Sequence, residues 1–374
     1  SGYSGRRWIC DAVSSDDART NSSLLACIDL TDAFSQLPHD RIREALSRTR
    51  VAPYAAKFVN NWLHGRQARV FLRGEVSGWA PLTAGVPQGS VLGPLLFTLV
   101  MDSLLHIMDR AARTLSVPRV LRCNFAAFAD DFALTVRSSQ DSLLQISLQE
   151  MLDVLTFWCT ENGMQVSAKT CISILAPSAR RVVTFDPFRV LDATFEVQQR
   201  PQRYLGILVD QTLCFGEHVK SAVAKAEEFR HKLAAISRTV RPVHLRSLWC
   251  SMVFTMLYAS EAWADRISEA SWTALESAHS QGCRTLLSLV AGCSSAAAIT
   301  EAGFRSVRQM AKEKALRTAF KLSTFSTHQE LLSGRFGPDL QRHENLMPTL
   351  FPPVPPPLSL DNVCAFDGTS PTAR

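Results

Sequence analysis

The sequence predicts an α+β fold, and three observations carry that expectation. Short apolar runs bounded by turn residues fill the first part of the chain, at Leu24–Ile28, Ala68–Leu72, Phe125–Ala129 and Phe132–Val136. Apolar residues at helical spacing dominate from Val219 to Phe325. Hydrophobic residues make up 46% and charged residues 20% of the 374, the balance of a globular chain with a sizeable core and not of a disordered one. At roughly 150 residues per domain, this length suggests two or three lobes.

Taken in order, Leu24-Leu25-Ala26-Cys27-Ile28 predicts a buried strand ending at Asp29. Pro38-His39-Asp40 punctuates the chain, and Ile42, Ala45 and Leu46 follow at helical spacing. Ala68–Leu72, followed by Arg73-Gly74-Glu75, predicts a strand entering a hairpin turn. Leu92, Leu95, Leu96 and Leu99 recur at i, i+3, i+4 and i+7, with Pro94 tolerable in the first turn, so a helix starts from the Gly85–Gly89 loop. Phe125–Ala129 and Phe132–Val136 predict two strands joined by a two-residue acidic turn, Asp130-Asp131. Gln145–Cys159 is an apolar-periodic helix stopped by Asn162-Gly163. Val219, Val223, Ala226, Leu233 and Ile236 mark an amphipathic helix, with Lys220, Lys225, Arg230 and Lys232 off its apolar positions. The last stretch carries Pro348, Pro352, Pro353, Pro355, Pro356 and Pro357 with few charges, and predicts an extended tail without a core.

Composition narrows the function classes. Forty Lys plus Arg against 34 Asp plus Glu give a formal charge of +6, a mild lean towards polyanionic partners. The uncharged stretch from Val76 to Met101 is broken by Gly78, Pro81, Gly85, Pro87, Gly89, Gly93 and Pro94, which argues against a membrane span. The start, Ser1 to Trp8, has no apolar leader segment and no initiator Met, so the chain reads as a fragment of something longer. Ten scattered Cys, without a Cys-x-x-Cys pair, fit a reduced intracellular setting without structural zinc.

The chemistry gathers at three places. Asp29 ends a strand, Asp130-Asp131 sits at a turn, and the Gly/Pro-rich loop Ala84-Gly85-Val86-Pro87-Gln88-Gly89-Ser90 lies between them. Carboxylates brought together from separate strands repel unless a cation neutralises them, which is how a two-metal phosphoryl-transfer site is built. Oxygen-only ligands suit Mg2+. Singly, each feature is more often a turn or a cap; their combination gives them weight.

At these residues the chain resembles the reverse transcriptases. Asp29-Leu-Thr-Asp-Ala33-Phe34 resembles motif A, Gly85-Val-Pro-Gln-Gly-Ser-Val-Leu-Gly-Pro-Leu-Leu-Phe97 motif B, and Phe128-Ala-Asp-Asp131 motif C. Gly163-Met-Gln-Val-Ser-Ala-Lys-Thr170 is similar to motif D and Tyr204-Leu-Gly-Ile207 to motif E, the primer grip. The long form of motif B and the Phe-Ala-Asp-Asp form of motif C resemble non-LTR, LINE-type retrotransposon enzymes, and the segments Leu245–Trp263 and Cys283–Gly303 resemble the helical region that follows in jockey- or ingi-like elements.

The resemblance implies an RNA-directed DNA polymerase with a right-hand architecture: an antiparallel palm sheet, partial fingers and a helical thumb. It implies two Mg2+ ions, with Mn2+ as a possible substitute, held by Asp29, Asp130, Asp131 and the Leu30 carbonyl. Lys169 becomes the acid for the leaving pyrophosphate. Asp32, Ala33, Phe34, Gln88 and Gly89 surround the incoming nucleotide, with Phe34 as the gate against a 2'-hydroxyl. Tyr204, Leu205 and Gly206 hold the primer, and Lys220, Lys225, Arg230 and Lys232 are candidates for the template-primer backbone. The implied partners are an RNA template, a DNA primer and dNTPs, with no membrane and an undetermined oligomeric state. The location is intracellular, in the nucleus if synthesis is target-primed.

The expected division is a fingers remnant over 1–22, palm with fingers insert over 23–210, thumb and post-thumb helices over 211–330, and the Pro-rich, disordered tail over 331–374. Gly2-Tyr3-Ser4 stands where the family has Gly-Phe-Arg, leaving Arg6 or Arg7 to hold the triphosphate, and Ser167 stands where Asn is common in a shortened motif D. The isolated chain, N-terminally truncated on this reading, is therefore expected to polymerise weakly or not at all. Two other readings stay open: an inactive retroelement remnant that binds nucleic acid, and a group II intron maturase-like RNA-binding protein.

Overall fold

A computed structural model describes residues 22–49, 51–114, 120–176, 184–289 and 292–323. Gly2, Tyr3, Ser4, Arg6, Arg7 and the tail over 331–374 lie outside the described residues. Residues up to Ala311 fall in one compact unit; the second, from Lys312, is described through Ser323 only, as helix.

The first strand, β1 (Ser22–Thr31), is buried from Ser22 to Ile28, as a strand covered on both faces must be. Three helices follow: α1 (Ala33–Gln36), α2 (His39–Arg48) and α3 (Pro53–Leu63). Ile42, Ala45 and Leu46 form the buried stripe of α2, and Pro53 opens α3, where its missing N–H costs nothing. Two small two-stranded ribbons come next, pairing β2 (Gln67–Ala68) with β5 (Ala80–Pro81) and β3 (Phe71–Leu72) with β4 (Glu75–Val76) around the Arg73-Gly74 turn.

Helix α4 (Leu92–Arg113) is long and apolar enough to cross a membrane. Here it is a packed helix that buries Leu96, Phe97, Val100, Met101, Leu104 and Met108. The hairpin β6 (Val120–Phe128) and β7 (Asp131–Ser138) leads to α5 (Asp141–Glu161), which closes at Asn162 as expected.

The remaining strands are β8 (Gln165–Val166), β9 (Cys171–Leu175), β10 (Phe188–Val190), β11 (Ala193–Phe195), β12 (Val197–Gln198), β13 (Gln202–Tyr204) and β14 (Ile207–Val209). Helices α6 (Gly216–Ile236), α7 (Pro242–Met256), α8 (Ser260–Trp263), α9 (Glu269–Leu287), α10 (Ser295–Glu301) and α11 (Val307–Ser323) complete the described chain.

The main sheet has the order β12-β9-β1-β7-β6, with β8 pairing the end of β1. It is mixed rather than antiparallel throughout: β1, β6, β7 and β9 pair antiparallel, but β12 runs parallel to β9, with Val197 opposite Ile172. That edge strand has two residues, too few to show a period in sequence.

Alternation along the strands splits the core in two. Leu24, Ala26 and Ile28, with Phe132, Leu134 and Val136, pack under α2 to α5. Leu25, Cys27, Ala133, Cys171 and Leu175 join a second core built on β13, β14 and the helices from α6 onward. On α6 the stripe includes Val219, Ala222, Ala226 and Leu233, while Ile236 is exposed.

Two sequence expectations shift by a residue or two. Strand β1 continues past Asp29 because Leu30 and Thr31 pair with Val166 and Gln165. The acidic turn is Ala129-Asp130, not Asp130-Asp131: Phe128 and Asp131 form the last rung, and Ala129 takes the left-handed conformation at φ 54°. Seating Phe132 opposite Ile28 in the core draws Asp131 into the strand.

Candidate active site

In the register of β1 and β7, Asp29 lies directly opposite Asp131. Directly opposed residues on one face hold their Cβ atoms about 4.5–5.5 Å apart, so the two carboxylates share one side of the sheet. Asp131 is half-buried, and burial first, then the charges of Asp130 and Asp29, push its carboxyl above the usual range. Asp131 thus feels both of the other acids.

Among the described residues no three Asp, Glu, His or Cys side chains are close enough to enclose a metal ion. Mg2+ does not need such a cage, because it keeps several waters and binds through one or two carboxylates plus substrate phosphates. An oxygen-only pair facing each other across two strands fits that requirement.

This repulsion has a pH signature. A raised folded-state pKa means the folded chain holds its proton longer than the unfolded one, so stability falls as pH rises from the ordinary carboxylate range through the folded value. Asp131→Asn should therefore stabilise the metal-free protein at pH 7, by about 0.2–1 kcal/mol on the scale of cross-strand pairs. Urea unfolding should show this gain shrinking as pH is lowered towards 4.

The backbone of Asp29 is clamped on both sides. Its N–H donates to Thr170 Oγ1 at 3.1 Å, and its carbonyl accepts from Ser167 N–H at 2.7 Å. Thr170 is buried, and its own N–H closes the turn onto the Ser167 carbonyl at 3.0 Å. Between these anchors, exposed Lys169 lines a cleft of about 320 Å³ shared with Asp29, Asp131, Cys27, Cys171 and the 202–206 hairpin. Leu30 is buried and paired with Val166.

After Thr31 the chain turns at Asp32, an exposed residue at φ 45° whose carbonyl accepts from Ser35 and Gln36 N–H. Ala33 is buried, and the Phe34 ring packs 4.8 Å from that of Phe97. The glycine-rich loop is tied to this segment: Val86 N–H donates to the Phe34 carbonyl and Gly85 N–H to the Leu37 carbonyl, both at 2.8 Å. His39 Nε2 lies 2.9 Å from the Gly85 carbonyl, for which it is the donor. Beyond this seam, Gln88 and Gly89 form an exposed turn closed by Ser90 N–H on the Pro87 carbonyl at 3.1 Å, with Gly89 at φ 81° as a type II turn requires.

Tyr204 is buried, and Leu205-Gly206 form the two-residue turn between β13 and β14, both with positive φ. A Cβ on Gly206 would stand 2.7 Å from the Tyr258 ring, and Tyr258 Oη donates to the Leu205 carbonyl at 3.3 Å. The group that approaches Gly206 is thus a side chain from the C-terminal side of α7. The basic residues of α6 divide: Lys220 pairs with Glu217 at 2.7 Å and Lys232 with Glu228 at 2.6 Å, while Arg230 stands beside His231 and Lys225 is exposed.

The family model for reverse transcriptase (RNA-dependent DNA polymerase) matches residues 2–209. The chain belongs to the reverse transcriptase family. Its relatives are of the non-LTR retrotransposon type. It is 29% identical over 214 residues to a probable RNA-directed DNA polymerase from transposon BS of Drosophila melanogaster, covering 55% of this chain and 22% of the relative. It is 28% identical over 227 residues to the RNA-directed DNA polymerase from mobile element jockey of the same organism, covering 61% and 24%. A Pol polyprotein from the type-2 element R2DM, also of Drosophila melanogaster, is 31% identical over 157 residues, covering 41% and 14%. This reverse transcriptase chain thus spans less than a quarter of each of these relatives. Among solved structures, telomerase from Candida albicans aligns with a TM-score of 0.42 at 11% identity, covering 82% of this chain and 54% of that one.

Sequence reasoning missed Thr170, His39 and Tyr258 as supports of the site, and took Ser167 only as a departure from motif D. Thr170 carries a local signal, a hydroxyl beside Lys169. Tyr258 carries none, since it meets Leu205 from 53 residues away.

Proposed function

We propose that the chain is the polymerising part of a non-LTR retrotransposon reverse transcriptase, joining dNTPs to a DNA primer on an RNA template. The observation that carries this reading is the register of Asp29 with Asp131 at a cleft also lined by Lys169 and the 202–206 hairpin. On this reading 23–210 is a palm with a fingers insert, 211–330 a thumb and post-thumb region, 1–22 the end of the fingers and 331–374 a tail. Synthesis takes place inside the cell, in the nucleus where it is target-primed.

Asp29, Asp130, Asp131 and the Leu30 carbonyl would hold two Mg2+ ions, or Mn2+ in their place. When bound, such ions lower the pKa of the attacking 3'-hydroxyl and neutralise the triphosphate. The chain's own residues do the positioning. Backbone N–H groups of Asp32 and Ala33 face the phosphates, Gln88 and Gly89 border the sugar, and Lys169 Nζ gives a proton to the leaving pyrophosphate oxygen. Tyr204, Leu205 and Gly206 seat the primer end, and Lys220, Lys225, Arg230 and Lys232 run along the duplex backbone.

Primer extension on poly(rA)/oligo(dT) with Mg2+ or Mn2+ tests the reading. Weak, metal-dependent dTTP incorporation is expected. No incorporation with either ion, by a chain that still binds the hybrid, would favour the remnant reading. Phe34 offers a second test. If its ring excludes a 2'-hydroxyl, Phe34→Ala should raise rNTP use relative to dNTP by at least about tenfold, or ~1.4 kcal/mol. Unchanged discrimination in an active variant would reduce Phe34 to a packing partner of Phe97.

A further inference from the structure

Cys27 and Cys171 face each other across β1 and β9. Among the described cysteines no other two are opposed in a ladder. The neighbouring contacts fix what kind of pair this is. Asp29 turns both its N–H and its carbonyl towards Thr170 and Ser167, so Cys27, two residues earlier on the same strand, turns its own towards β9 as well. The pair is therefore of the hydrogen-bonded kind, with Cα atoms about 5.5 Å apart, inside the roughly 4.4–6.8 Å that a disulfide spans.

The two thiols are already in contact. They share a hydrogen bond, and both line the cleft that holds Asp29, Asp131 and Lys169. At 9% and 8% exposure each residue is shielded from large reagents, yet a cleft of about 320 Å³ admits a molecule hardly larger than water. A buried structural cysteine is inert among apolar neighbours. These two stand sulfur against sulfur at the edge of a polar cleft.

The covalent geometry sets how firm a bridge would be. Opposed Cβ atoms rest about 4.5–5.5 Å apart, whereas a relaxed disulfide holds them at about 3.8 Å. Closing that gap draws β1 and β9 together by roughly 1 Å. A bridge under such strain is among the more readily reduced, which suits a setting where thiols are the resting state and disulfides are transient.

We propose that Cys27 and Cys171 form a reversible, peroxide-driven disulfide in the wall of the acidic cleft. One sulfur attacks hydrogen peroxide; an S–O bond forms as the O–O bond breaks, and a water leaves with the thiol proton. The second sulfur attacks the resulting sulfenic sulfur; the S–S bond forms as the S–O bond breaks, and a second water carries off the other proton. The sulfur pair thus gives up two electrons, and the peroxide is reduced to water. The consequence for synthesis rests on the polymerase reading. Cys27 and Asp29 point to the same face of β1, and Cys171 adjoins Thr170, whose hydroxyl accepts from Asp29 N–H. Drawing the two strands together shifts the Asp29 carboxylate relative to that of Asp131.

For the test, the full chain is treated with hydrogen peroxide in metal-free buffer, remaining thiols are capped with N-ethylmaleimide, and disulfides are mapped by non-reducing digestion and mass spectrometry. The peptides carrying Cys27 and Cys171 should be recovered linked, and dithiothreitol should release them. In urea the preference for this pairing should vanish, because it comes from the fold. Both peptides capped singly, or carrying sulfinic acid, under conditions that oxidise exposed Cys214 would overturn the proposal. The map needs no catalysis, so it reads the same whether or not the chain polymerises. Where the reduced chain extends a primer, oxidation should cut extension by at least about tenfold, with recovery in dithiothreitol, while Cys171→Ser should be insensitive to peroxide. A bridge that forms without that loss, or an equal loss in Cys171→Ser, would overturn the link to the acids.

Discussion

Replacing Asp29 with Asn is expected to abolish primer extension while leaving the chain folded. The two changes separate because Asp29 is held through its peptide, by Thr170 Oγ1 and Ser167 N–H, and not through its carboxylate. The amide is isosteric and removes one of two like charges that face each other across β1 and β7, so the sheet should lose nothing. The proposed chemistry loses a metal ligand and the charge that goes with it, on the scale of several kcal/mol. Turnover should fall by about 10³ or more, ~4 kcal/mol. Thermal melts give a readout that does not depend on how active the parent is. Mg2+ or Mn2+ at a hundred times its dissociation constant should stabilise the parent by about 2.7 kcal/mol and Asp29→Asn far less. Extension within tenfold of the parent would place the reacting centre elsewhere.

The second large effect is expected at Gly85, where a Cβ would stand 2.4 Å from the backbone carbonyl oxygen of Ser35, at φ 83°. Neither partner can rotate away, because the Cβ is fixed by its own backbone and the oxygen belongs to backbone. Gly85→Ala adds a disfavoured left-handed residue to an overlap of the kind that costs 1–3 kcal/mol in packed cores, so a loss of about 3 kcal/mol is expected by urea unfolding. If the loop instead yields, the seam from Phe34 and Leu37 to Val86 and Gly85 must open, displacing Gln88. Stability would then fall through the two lost backbone hydrogen bonds rather than through the overlap, and dNTP affinity should drop sharply. A variant with parental stability and parental affinity would show that the loop is not held as this seam implies.

Much of this arrangement is legible in the sequence, for identifiable reasons. Leu24–Ile28 is an unbroken apolar run, as a strand buried on both faces requires, so Asp29 falls near the strand's end, two residues before β1 stops at Thr31. The glycine-rich loop and the helix after it carry their own punctuation. The hairpin turn was misplaced by one residue because Asp130 and Asp131 are both turn formers, and the register is set by where Phe132 packs, which is not local information. The parallel edge strand β12 and the contact of Tyr258 with the 205–206 turn involve segments too short or too far apart in sequence to leave a pattern. The supports of the site come from the tertiary fold, whereas its acids come from motifs.

The turn that carries Lys169 has both feet on the backbone of a single residue. Ser167 and Thr170 each bond to the backbone of Asp29, leaving Ala168 and Lys169 as the span between two fixed points. Such an arch cannot swing without pulling on the strand that holds the acid. In the proposed reaction, any travel needed to bring the ammonium to the departing oxygen belongs to the lysine stem, whose rotamers exchange in picoseconds to nanoseconds, and not to the slower displacement of a loop. Proton delivery would then keep pace with every nucleotide bound, and waiting times in synthesis would arise from parts of the molecule that are not anchored in this way.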